Sequence, residues 1–213
     1  MASNPYLLTA QGVHKGLLYL AESLQNYWPA KGELAENNIA LHLARSFAEK
    51  GFHMRAEVPL DGDNRRLDFL ACNYTENIAV ALEFKRSIDT PQGNYEDLKR
   101  LVYIHKNGLC KDTFDYGEDA IHRIYGIVAL LFENEFVDWW HNPEKNREYM
   151  PEGKSAKLYG NIGEALATAT SRYVVPLYES LSSKPQYRFG RAAYALYNEN
   201  SMNKLSSVLD SQK

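Results

Sequence analysis

The chain has 213 residues, 45% of them apolar, with a formal net charge of −3. That composition suits one folded domain with a full core, excludes a disordered chain, and argues against a protein held on nucleic acid by bulk positive charge. Two cysteines, Cys72 and Cys110, are too few for a disulfide framework or a metal cage of their own. With no charged-then-apolar leader and no run of ~18 apolar residues, a soluble, cytoplasmic protein without membrane contact is expected.

Residues 4–28 read as a helix, because Leu7, Leu8, Val13, Leu17, Leu20, Ala21 and Leu24 recur at helical intervals; Pro29 and Gly32 end it. Residues 33–50 are a second amphipathic helix, with Ile39, Ala40, Leu43 and Phe47 as its stripe and Gly51 as its stop. Three strand-like runs follow, 53–60, 65–73 and 77–87, joined by short turns, and read as an antiparallel meander. Residues 92–107 return to a helical pattern on Tyr95, Leu98, Val102 and Ile104, and the apolar run 122–133 reads as a buried strand.

Further on, 134–142 suggests a short helix and places Trp139 and Trp140 in the core. Residues 143–153 read as a loop, 161–172 as a helix, and 173–178 and 187–197 as strands, with Tyr187, Phe189 and Tyr197 sharing a parity. The expected fold is one α/β domain over residues 1–213 with a mixed central sheet flanked by helices. Its core spans about 33–133, preceded by an N-terminal helix and followed by C-terminal α/β additions over 134–213.

The most informative stretch is 65–87. Strand side chains alternate faces, so Ile78, Val80, Leu82 and Phe84 form a large apolar face, while Ala79, Ala81, Glu83 and Lys85 form the other. Small residues followed by an acid and a base on a rigid strand suggest a cleft. Asp68, on the preceding strand, can meet Glu83 across a hairpin. Two carboxylates converging on one point repel unless a cation lies between them. Magnesium suits such a pair, since it binds through one or two carboxylates and takes phosphate oxygens as further ligands. Lys85 would then orient a water or stabilise charge on the phosphate.

Asp68, fourteen residues, then Glu83-Phe84-Lys85 resembles the PD-(D/E)XK nuclease superfamily, and 33–133 follows that family's αβββαβ order. The resemblance covers about half the chain. It departs from the pattern in having Leu67 where the family often has proline. It implies a restriction-endonuclease-like core and a metal-dependent deoxyribonuclease acting on nucleic acid, most naturally DNA. It also implies Mg²⁺, with Mn²⁺ substituting, held by Asp68, Glu83 and the Phe84 main-chain carbonyl. Many members work as dimers, so a homodimer is an expectation, although no segment reads as its interface. A catalytically silent, nuclease-like binding module in defence or mobile-element biology is the alternative.

The triplet [DE]xK occurs three times, at Glu83–Lys85, Asp97–Lys99 and Glu152–Lys154; only the first ends an apolar strand after an Asp-bearing one. Glu36 lies at the centre of the second helix's apolar stripe and matches a family glutamate that reaches the metal; a solvated first-turn role is the competing reading, with Glu33 as a substitute candidate. Gln92 and Tyr95 sit where exonuclease-like branches carry Gln and Tyr, at one residue tighter spacing, and capping and core packing compete for them. Eight basic residues near the site, among them Arg65, Arg66, Arg86, Lys99, Arg100, Lys106 and Lys111, face seven acids over 62–111, which favours solvated surface over a phosphate track. The sequence holds no phosphate-binding glycine loop, no nucleophile elbow and no paired histidines.

Overall fold

Six strands join one sheet in the order β1-β2-β3-β4-β6-β5. The computed structural model describes residues 4–26, 36–60, 63–85, 91–108, 122–131, 134–143, 154–177 and 191–212. The elements are α1 (Pro5–Asn26), α2 (Glu36–Ala48), β1 (His53–Leu60), β2 (Asp63–Asn73), β3 (Ile78–Lys85), α3 (Pro91–Asn107), β4 (His122–Leu131), α4 (Asn134–His141), α5 (Lys154–Ala167), β5 (Ser171–Pro176), β6 (Arg191–Tyr197) and α6 (Glu199–Ser211). β3 and β4 pair in parallel and the other neighbours are antiparallel, so the sheet is mixed. The meander and the α2-β1-β2-β3-α3-β4 order match the sequence reading.

The two faces of the sheet carry separate cores. Ile78, Val80, Leu82 and Phe84 of β3 join Ile124, Val128 and Leu130 of β4 against Val13, Leu17, Leu43 and Phe47 of α1 and α2. Ala79 and Ala81 join Tyr125, Ile127 and Ala129 against Leu98 and Leu101 of α3, with Trp139, Trp140, Ile162 and Met202 from α4, α5 and α6. β3 and β4 are therefore buried on both faces, which is why their apolar runs are continuous and not alternating. The α1–α2 contact is close because α1 has glycine there. A Cβ on Gly16 would stand 2.8 Å from the Cα of Leu43. Gly51, at φ +77°, follows the last turn of α2, where its N–H bonds the Ala48 carbonyl at 3.0 Å.

Three assignments change. The helix expected over 161–172 runs Lys154–Ala167, because Thr168 and Thr170 begin a β-branched stretch that continues as β5 through Val174 and Val175. The strand expected over 173–178 runs Ser171–Pro176, and of the strand expected over 187–197 the described part is Arg191–Tyr197, with Tyr187 and Phe189 outside the described residues. Residues 199–211 form a helix that the sequence reading left unassigned. Its buried positions are Ser201, Met202, Leu205, Ser206 and Leu209, so two serines dilute the apolar stripe. Its signal is Asn198, whose side chain caps the Ser201 N–H. Trp139 and Trp140 are buried as expected. Among the described residues no helix is long and apolar enough to cross a membrane.

Candidate active site

The site forms where the β2–β3 ladder ends. The ladder's last pair is Phe69 opposite Leu82, and Asp68 and Glu83 are the next residues beyond it. There β2 changes face: Leu67 and Leu70 belong to the same α3-side core although three positions separate them. In β1, Ala56 pairs with Phe69 and Val58 with Leu67, and the intervening Glu57 sits at φ +52°. This local twist turns Asp68 out of regular pairing. Its Oδ2 accepts the Phe84 N–H at 2.7 Å, standing in for a ladder carbonyl. On a strand the N–H and C=O of one residue point the same way, so the Phe84 carbonyl also faces the β2 side.

Glu83 projects from the opposite face to Phe84 and is fully buried. Its Oε2 accepts from Arg100 Nη1 at 2.7 Å. Its Oε1 meets no donor among the described residues, and the Asp68 carboxyl group is near enough to act on it electrostatically. Burial raises the Glu83 carboxyl well above the usual carboxylate range; Asp68 and Asp97 add to the rise, and Arg100 opposes it. Lys85 reaches across to α3. Its Nζ is 2.9 Å from Asp97 Oδ2. Asp97 Oδ1 is 3.4 Å from Arg100 Nη1. Burial pushes the Asp97 carboxyl up to about 6, against the pull of Lys85 and Arg100.

The structure thus brings Asp68, Glu83 and Lys85 together, and adds Asp97 and Arg100 from α3. Sequence reasoning set both additions aside, Asp97 as half of a helical [DE]xK triplet and Arg100 as surface charge. A signal was present: Asn94, Asp97, Leu98 and Leu101 fall at i, i+3, i+4 and i+7, so a charge lies on the buried stripe of α3 and requires a partner. The expected cleft beside Ala79 and Ala81 is corrected. Among the described residues α3 covers that face, and the cavity lined by Ala79 and Ala81 is about 20 Å³, room for one water and not a substrate.

Glu36 opens α2, and its side chain lies outside the described residues, as do Glu33, the side chain of Arg65, Arg86 and Lys111. Gln92 bonds Glu96 at the surface at 2.9 Å. Tyr95 is buried in the α3-side core, with Lys99 over its ring at 4.5 Å. Lys106 pairs with Asp210 at 3.1 Å. These contacts are packing and surface pairing.

Among the described residues no group of three or more His, Cys, Asp or Glu side chains is placed to hold a metal ion. What the cluster offers is two neighbouring carboxyl groups and one main-chain carbonyl direction. Three carboxyl groups stand against two cationic side chains, an imbalance that a proton or a cation can neutralise. The chain matches no family model, no curated protein and no solved structure.

Proposed function

We propose that the chain is a metal-dependent nuclease with a restriction-endonuclease-like core, hydrolysing phosphodiester bonds of DNA at the Asp68–Glu83–Lys85 cluster. One observation carries this reading: Asp68 is bonded to the Phe84 N–H at the point where the neighbouring, fully buried Glu83 keeps an oxygen without a donor among the described residues. Such an arrangement is costly for a fold and useful for a cation.

A hard divalent ion fits this donor set. Asp68, Glu83 and the Phe84 carbonyl would hold it, and waters and substrate oxygens would complete its shell, as magnesium prefers. Bound there, it would supply Lewis-acid charge to a phosphate and acidify a water. The chain's own residues do the rest. Asp68 braces the end of β3 through the Phe84 N–H. Arg100 restrains Glu83 through Oε2 and leaves Oε1 available. Lys85, on the same strand face as Glu83, carries the positive charge that a phosphorane needs. Mg²⁺ is the expected ion, with Mn²⁺ as a substitute.

The second reading is a catalytically silent fold that binds DNA or a protein. The Arg100–Glu83 pair favours it, since a guanidinium 2.7 Å from a fully buried carboxylate already neutralises much of its charge. A cleavage assay on single-stranded, double-stranded and branched DNA and on RNA separates the two. The nuclease reading expects cutting with Mg²⁺ or Mn²⁺, lost on adding EDTA. It also expects Asp68→Ala and Lys85→Ala each to slow cutting by about 10³-fold, near 4 kcal/mol in barrier. Wild-type protein inert on every substrate selects the silent fold.

A further inference from the structure

We propose that Asp97 is a positioning residue that clamps Lys85 beside the Asp68–Glu83 pair from the buried face of α3; its catalytic meaning rests on the nuclease reading above. Lysine is a point charge on a flexible four-carbon stem, and an unrestrained one spreads its ammonium over many rotamers. Here the Nζ lies at ion-pair distance, 2.9 Å, from Asp97 Oδ2, and the Lys85 side chain is only 19% exposed. The other oxygen of Asp97 faces Arg100 Nη1, the atom that also holds Glu83 Oε2. Lys85, Asp97, Arg100 and Glu83 therefore form one chain of ion pairs. It ties the strand lysine and the strand glutamate to a single helical carboxylate.

The support behind Asp97 is rigid. Leu98 and Leu101, flanking it on α3, are fully buried in the core against the sheet. A carboxylate in that position is a poor choice for stability, because a hydrophobic side chain would fill the site without a desolvation cost. Its yield is geometric: it sets where the lysine charge sits relative to the two acids.

Two readouts test this. The first needs no activity. The ammonium ¹H–¹⁵N resonance of Lys85 at low temperature, assigned by its disappearance in Lys85→Arg, is expected in the slow-exchange, protected range. It should lose that protection in Asp97→Asn. The second is a double-mutant cycle on DNA cleavage. Asp97→Asn should lower kcat by about 10- to 100-fold with KM nearly constant, the size expected when a supporting partner is lost. The same change should add less than about 2-fold in a Lys85→Ala background, because its effect runs through the lysine. If Asp97→Asn fails to fold, Asp97→Glu, which moves the charge by one methylene, should shift the Lys85 resonance and lower kcat. A Lys85 resonance unmoved by either Asp97 variant overturns the clamp, and so does a cycle in which the two losses multiply. Wild-type protein that cuts nothing while Asp97→Asn still releases Lys85 overturns the nuclease reading, and the catalytic role of Asp97 with it.

Discussion

Glu83 and Phe84 are consecutive, both buried, and point to opposite faces of β3, and the two faces are built on different principles. On the α1–α2 side Phe84 meets Phe69 at 5.7 Å between ring centroids, Phe69 meets Phe47 at 5.8 Å, and Phe47 meets Phe52 at 5.0 Å. Aromatic packing of this kind needs no partner beyond shape. On the α3 side two buried carboxyl groups, Glu83 and Asp97, are paired with the half-buried Lys85 and Arg100 beside the half-buried Asp68, and the charges neutralise one another incompletely. Apolar burial explains the first face as a source of stability. The second face costs desolvation energy wherever its charges lack partners, so its composition points to chemistry more than to folding.

This contrast can be broken by mutation. Phe84→Ala should destabilise the protein by about 3–5 kcal/mol in urea unfolding, through lost transfer energy and a cavity. Arg100→Ala should cost about the same, 3–5 kcal/mol, by leaving Glu83 buried without its counter-ion. Only the second loss should be reversible. Glu83→Leu combined with Arg100→Met should return stability to the wild-type level or up to about 4 kcal/mol above it, as replacement of buried ion pairs by hydrophobes does. A double variant as unstable as Arg100→Ala alone would show that the polar face stabilises the fold after all.

A smaller effect sharpens the contrast by pH. Asp97 titrates at about 6 in the folded protein and near 3.8 in the unfolded chain, so between those values the native state holds a proton that the unfolded state has released. Stability contributed by this group therefore falls as pH rises through that window. Glu83, raised for the same reason, acts in the same direction. Glu49 acts oppositely, lowered first by Lys15 and then Tyr19, but it is solvent-exposed and screened. Between pH 4.5 and 6.5, Asp97→Asn should remove about 2 kcal/mol of the wild type's decline in unfolding free energy. An unchanged slope would mean that Asp97 is ionised throughout.

The smallest effect lies away from both faces. Asn198→Ala removes the side chain that accepts the Ser201 N–H at 3.0 Å and should cost about 1 kcal/mol of thermal stability without altering cleavage.

Much of the architecture was legible because it follows from period. The two-residue alternation of Ile78–Phe84 predicts which side chains face α1 and α2, and the turns around Pro59–Gly62 and Asn73–Asn77 predict a meander. α6 was not legible, because Ser201 and Ser206 occupy inward positions that a pattern search counts as polar. At the site, Asp68, Glu83 and Lys85 were found by spacing along β2 and β3. The ion pair of Lys85 with Asp97, twelve residues on, was not, since Glu83 is the nearer acid in sequence.

By itself the amino-acid sequence determined the strand order of the meander, the faces of β3 and the positions of Asp68 on β2 and of Glu83 and Lys85 at the end of β3, because those depend on local periodicity. Only the tertiary structure decided that α3 roofs the small-residue face, that Asp97 and Arg100 join the charge network, and that Glu83 keeps one oxygen without a donor among the described residues. Ion pairs in a low-dielectric interior are chosen by three-dimensional proximity and desolvation, and neither quantity is a function of separation along the chain.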